Sequence, residues 1–158
     1  MAIRTIRTEG DEILRKKSKK VDVIDERIKE IVNDMIETLH KYEGVGLAAV
    51  QVGMLKQIVV IQEAEDEPIY VIINPEILSQ SGTQIVEEGC LSFPNKFAKI
   101  ERPEKIKIKA LDINGKPFEI KAKGLLAQAI SHEIDHLNGE VFIDKIIPGT
   151  LEIIKPEK

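Results

Sequence analysis

The sequence predicts an α+β domain in which two helices pack on antiparallel sheet, and three observations carry that expectation. An amphipathic repeat lies near the start of the chain, short β-branched runs joined by tight-turn residues fill its middle, and a second amphipathic repeat follows them. The order helix, strands, helix lacks the regular strand–helix alternation that builds parallel sheets. At 158 residues with a single cysteine, the chain suits one domain spanning 1–158, long enough to bury a continuous core without disulfides or a structural metal.

The first helix is predicted over residues 24–39. Ile24, Ile28, Ile31, Val32, Met35, Ile36 and Leu39 recur at spacings of three and four, Asp25 is placed as an N-cap, and Gly44 follows soon after the end. Strands are predicted over 58–61, over 70–73 and over the strictly alternating 105–110. Asn74-Pro75 and Ser81-Gly82 read as turns, and Asn114-Gly115 joins 105–112 to 117–123 as a hairpin. The second helix is predicted from about 124 to 137, with Leu125, Leu126, Ala129 and Ile130 on one side and Asn138-Gly139 as its C-terminal stop.

Composition excludes several classes of function. A net charge of −4 with no uninterrupted block of five or six basic residues argues against direct nucleic-acid recognition. No apolar stretch reaches bilayer-spanning length, so no membrane partner is expected. The opening Met1-Ala2-Ile3-Arg4-Thr5-Ile6-Arg7 interleaves charge with apolar residues and lacks the apolar core of a secretory signal, which makes the expected location cytoplasmic. Cys90 has no partner for an internal disulfide, so it acts as a thiol, a thiolate or a metal ligand.

The strongest chemical signal is His132-Glu133-Ile134-Asp135-His136 on the second helix. Histidines at i and i+4 share one helical face, so both imidazoles can reach one metal ion, and the adjacent glutamate can take a proton from a water beside it. A third protein ligand is needed. The metzincin pattern would place a third histidine at 142, where this chain has Phe142, and Gly139 is more simply a helix stop. A zincin with a downstream glutamate needs another helix, but only a short tail containing Pro148 follows. His40 falls on the polar side of the first helix, and Cys90 is either a small buried apolar residue or the missing ligand.

Three separated blocks carry a resemblance to a known family. Gly44-Val45-Gly46-Leu47-Ala48-Ala49-Val50-Gln51, Glu88-Gly89-Cys90-Leu91-Ser92 and His132-Glu133-Ile134-Asp135-His136-Leu137 resemble, in order, the three motifs of the peptide deformylases; Arg102-Pro103-Glu104 and Leu111-Asp112-Ile113-Asn114-Gly115 also read like family sequence. The resemblance implies antiparallel β-sheets packed around a central metal-binding HExxH helix, with an N-terminal amphipathic helix. It implies a hydrolase of protein biosynthesis and N-terminal methionine processing, which removes the N-formyl group from the formylmethionine of newly made polypeptides and releases formate.

The metal ligands would be Cys90, His132 and His136, holding one divalent ion per chain. Fe2+ is the expected physiological ion, with Zn2+, Ni2+ or Co2+ as alternatives; one thiolate and two imidazoles suit all of them. A metal-bound water would be the nucleophile and Glu133 the general base, then the general acid. The side-chain amide of Gln51 and the backbone N–H of Leu91 would stabilise the oxyanion. Gly44, Val45 and Gly46 would pair with the peptide as an added strand, and Val45, Leu91 and Ile130 would line an apolar pocket for methionine or belong to the core. Asp135 and Arg102 would pair as orienters of the metal ligands or as an exposed salt bridge. The implied partners are N-formylmethionyl nascent peptides and, transiently, the ribosome. Ser131 departs from the family's usual glutamine, which puts a contact near the metal in question. Two other readings stay open: an HExxH endopeptidase, and a catalytically silent protein that binds N-terminal peptides.

Overall fold

A computed structural model describes residues 2–154 of the chain. Helix α1 spans Glu26–Lys41, two residues later than the periodicity alone indicates, because the Asp25 side chain accepts a hydrogen bond from the Ile28 N–H at 3.0 Å and so caps the helix from outside. Strands β1 (Gly46–Ala48), β2 (Ile58–Ile61), β3 (Tyr70–Ser81), β6 (Lys105–Leu111) and β7 (Pro117–Lys123) form a five-stranded antiparallel sheet in the order β1-β2-β3-β6-β7. Strands β4 (Gln84–Cys90), β5 (Phe93–Arg102) and β8 (Glu152–Ile153) form a second, three-stranded sheet in the order β4-β5-β8. Helix α2 spans Leu125–Leu137.

The apolar run Ile58-Val59-Val60-Ile61 is buried on both faces because each face of β2 has a helix against it. Ile58 and Val60 join Ile31, Val32 and Met35 of α1, whereas Val59 and Ile61 join Ala127, Ile130 and Ile134 of α2. A third cluster gathers Leu14, Phe93, Ile100, Val141 and Phe142 against the smaller sheet. Helix α2 packs on β1, β2, β6 and β7 and also contacts β5, so it lies between the two sheets.

Two stretches differ from the sequence reading. Asn74-Pro75 does not end a strand. Asn74 adopts a positive φ of 54° at a register shift between Ile73 and Glu76, and β3 continues as far as Ser81 alongside β6. The β4–β5 pair, not foreseen as strands, supplies most of the second sheet. The 105–111 and 117–123 segments pair as expected, with Gly115 at φ 80° and the Asp112 side chain accepting from the Asn114 and Lys116 N–H groups.

Candidate metal centre and active site

Helix α2 presents its chemistry from a buried face: His132, Glu133 and His136 are all less than one-tenth exposed. Leu126, Ile130, Ile134 and Leu137 anchor the same helix in the larger core. Its end is fixed by Asn138 N–H bonds to the Ile134 and Asp135 carbonyls and a Gly139 N–H bond to the His136 carbonyl. Cys90 comes from the other sheet, at the end of β4, where the ladder jumps from Gly89 opposite Phe97 to Cys90 opposite Phe93. That irregularity brings Cys90 Sγ to 3.3 Å from His136 Nε2.

One donor atom from each of Cys90, His132 and His136 lies within 4.8 Å of the others. Metal–ligand bonds of about 2.1 and 2.3 Å at a tetrahedral centre separate donors by about 3.5 Å, so the cluster fits one ion with little adjustment. His132 Nδ1 lies 2.7 Å from Glu88 Oε2; donating its proton there leaves Nε2 as the lone-pair nitrogen. Among the described residues the buried Glu133 Oε1 has no hydrogen-bond partner, the pattern of a site built around something other than protein.

Glu88 is the functional residue that the sequence reading quoted within a motif but gave no role. It is buried, accepts from Arg102 Nε at 3.0 Å and Nη2 at 2.6 Å, and holds His132. Arg102 in turn donates from Nη1 to Asp135 Oδ2 at 2.6 Å and to Ser131 Oγ at 3.3 Å. The expected Arg102–Asp135 pair is therefore present, with Arg102 only 3% exposed, but Asp135 reaches His132 only through Arg102 and Glu88. Ser131 serves the same guanidinium.

Burial by itself would raise the Glu88 carboxyl, but the hydrogen bonds from His132 and Arg102 outweigh it and take the pKa down to about 2. Glu133 has no such donors, and burial pushes it up to about 7. Burial also opposes charge on both imidazoles. His132 nevertheless lies well above its ordinary value because Glu133, Cys90 and Glu88 surround it, whereas His136 falls well below, driven by burial and by the neighbouring His132. A cation among these groups would favour the thiolate and the neutral imidazoles.

Gln51 is nearly fully buried in the 3-10 turn Ala49–Val52. Its Oε1 accepts from the Ala48 N–H at 2.9 Å, which turns Nε2 toward Ser92 Oγ at 3.1 Å and Cys90 Sγ at 3.6 Å. The amide donor thus faces the donor cluster. A cavity of about 750 Å³ opens over the site, and its wall includes Gly44, Val45, Gly46, Gln51, Leu91 and Glu133. A Cβ at Gly46 would lie 2.6 Å from Glu133 Oε2, so any larger residue there would push that carboxylate from its place. Strand β1, which contains Gly46, is an edge strand of the five-stranded sheet. Ile130 does not join this wall: it is 1% exposed within the larger core, and α2 turns Leu125 and Ala129 to the cavity instead. His40 is exposed and bonded to Gln62, away from the donor cluster.

Comparison with known proteins places this geometry in context. Residues 3–151 match the family model described as polypeptide deformylase. The chain is 56% identical over 144 residues to peptide deformylase 1 of Clostridium perfringens, covering 91% of this chain and 98% of that protein. It superposes on the crystal structure of peptide deformylase from Thermotoga maritima with a TM-score of 0.90 at 43% identity, covering 94% of this chain and 100% of that one. The structure of the Ehrlichia chaffeensis peptide deformylase in complex with actinonin gives a TM-score of 0.89 at 43% identity, covering 94% of this chain and 91% of that one.

Proposed function

The chain belongs to the polypeptide deformylase family, and from that premise we propose which of its own residues perform the reaction. It is an enzyme that removes, in a metal-dependent reaction, the formyl group from the N-terminal methionine of newly made polypeptides. The proposal assigns Cys90, His132 and His136 as the ligands of one divalent ion, which makes α2 the metal-binding helix at the centre of a single catalytic domain. When bound, that ion supplies Lewis-acid polarisation of water and carbonyl. Fe2+ is the proposed physiological ion, with Zn2+, Ni2+ and Co2+ as substitutes that the same donors would accept.

The protein's own groups do the rest. Glu133 takes a proton from the attacking water on a carboxylate oxygen and returns it to the departing amine, so that formate and a free N-terminus are released. The raised Glu133 carboxyl is matched to a proton that must be both accepted and given back near neutral pH. Gln51 Nε2 and the Leu91 N–H donate to the carbonyl oxygen as negative charge develops there. The peptide backbone adds to the edge of β1 along Gly44, Val45 and Gly46, and the methionine side chain lies against Val45, Leu91 and Ala129. Among the described residues no helix is long and apolar enough to cross a membrane. Cytoplasmic location and transient contact with the ribosome complete the proposal.

The observation that carries this reading is the convergence of one thiol and two imidazoles at the edge of a cavity that Cys90, His132 and Glu133 line, with a buried carboxylate oxygen of Glu133 left without a partner among the described residues. Its test is deformylation of a formyl-Met peptide by anaerobically purified protein with metal content measured on the same sample. Turnover should vanish on chelation and return with Fe2+, Ni2+ or Co2+. A preparation holding one such ion per chain and no turnover would sink the assignment and favour a silent peptide binder. Cleavage of internal bonds in unformylated peptides would instead favour the endopeptidase.

A further inference from the structure

The outer face of the five-stranded sheet changes character across its width. Over β1–β3 it is covered by α1, whose Ile31, Val32 and Met35 cluster with Leu47, Ile58, Val60 and Ile73. Over β6 and β7 the same face carries charge at every second position: Lys105, Lys107 and Lys109 on β6, and Glu119, Lys121 and Lys123 on β7, while Ile106, Ile108, Ile120 and Ala122 turn inward. The register sets Lys105 opposite Lys123 and Lys107 opposite Lys121. Like charges directly opposite across strands are destabilising, because their Cβ atoms sit only about 5 Å apart. Burying the isoleucines requires only polar residues on the outside, so four facing lysines in a chain of net charge −4 exceed what folding demands.

Little on the face neutralises them. Glu119 and Glu76 both lie opposite Lys109, and Glu119 also approaches Lys107 at 3.5 Å. Among the described residues Lys105, Lys121 and Lys123 enter no ion pair. Ser79 and Ser81 of β3 stand opposite Lys107 and Lys105, and these serines with the four lysines line a concavity of about 360 Å³.

We propose that this lysine face binds the phosphate backbone of RNA without reading its sequence. Lysine is a flexible point charge suited to phosphate, and alternate strand positions recur about every 6.8 Å with neighbouring strands about 4.8 Å apart, which makes a compact cationic strip. None of the lining residues is aromatic, so there is no platform for stacking bases. The face is concave and its lining has no exposed apolar side chain, which fits a polyanionic strand better than a bilayer surface. Whole-chain charge argued against nucleic acid because the average conceals this local surplus. The value of such a face to the enzyme rests on the deformylase reading, since formylated chains emerge from a ribosome whose surface is largely RNA; the binding itself does not rest on it.

The test is fluorescence anisotropy of a labelled oligouridylate with the intact protein. Four phosphate contacts predict a slope of log K against log salt of about −3, or about 50-fold weaker binding at 200 than at 50 mM salt. The triple variant Lys105→Glu, Lys121→Glu, Lys123→Glu should lose at least about tenfold in affinity, whereas the triple arginine variant should retain it. Both should deformylate a formyl-Met peptide like the parent, because none of these residues lines the catalytic cavity. No RNA binding by the parent, equal binding by the glutamate variant, or binding to phosphatidylserine vesicles in place of RNA would overturn the proposal. Turnover measured on the same preparations separates that failure from a failure of the deformylase assignment.

Discussion

Glu88 and Glu133 are both buried carboxylates beside His132, yet their surroundings drive them in opposite directions, to about 2 and about 7. The difference is that Glu88 accepts a hydrogen bond from His132 and two from the Arg102 guanidinium, whereas Glu133 has no such donors. One carboxylate is thereby committed to orientation and the other left available for proton transfer. Glu88→Gln keeps an acceptor but removes the charge that fixes the His132 tautomer, and it should weaken metal affinity about 10- to 100-fold, read by competition with a chelator. Gln51 invites a second experiment at this scale. Gln51→Ala should lower kcat by a factor of about 10² to 10³ with metal content unchanged. Ser92→Ala, which only frees the Gln51 amide to turn, should lower kcat about tenfold and leave KM and metal content near the parent's; equal rates for parent and Ser92→Ala would show that Ala48 alone holds the amide.

Elements bring these residues together, and the end of α2 is the most demanding. Gly139 sits at φ 75°, and a Cβ there would lie 2.5 Å from the Arg15 carbonyl oxygen, a backbone atom that cannot swing aside. Gly139→Ala should therefore destabilise the protein by at least about 1 kcal/mol in chemical denaturation. This helix and its stop were legible in the sequence, since apolar spacing, paired histidines and Asn-Gly all point one way. So was the 105–123 hairpin, whose Lys-Ile alternation fixes the two faces and whose Asn114-Gly115 turn fixes the register. The β4–β5 pair was not: Pro94, Asn95 and Lys96 interrupt any alternation in β5, and its inward positions are filled partly by Ala98 and Arg102. Asn74-Pro75 misled because its local chemistry is that of a turn. The fold uses it as a bulge, with the Asn74 side chain bonded to both the N–H and the carbonyl of Val21, a partner 53 residues away that no local pattern discloses. Glu88 was hidden for a related reason, since its partners Arg102 and His132 lie on other elements.

At the scale of the whole molecule the donor cluster joins two layers. Cys90 belongs to the three-stranded sheet and both histidines to α2, which is anchored in the five-stranded sheet. The protein's own links at this junction include the Glu88–Arg102–Asp135 ion pairs and Gln128 on Glu88. An ion held by all three ligands binds the folded chain and not the unfolded one, so it should add about 4 kcal/mol at a free concentration 1,000 times its Kd. For a domain of this size, that corresponds to a rise in Tm of about 8–16 °C. Chelation should remove that increment from the parent and from Glu133→Gln, which keeps all three ligands, while Cys90→Ser should melt at the lower temperature with or without chelator. A parent whose Tm ignores chelation would mean that the two layers are already held by their own side chains, and that the ion serves the reaction alone.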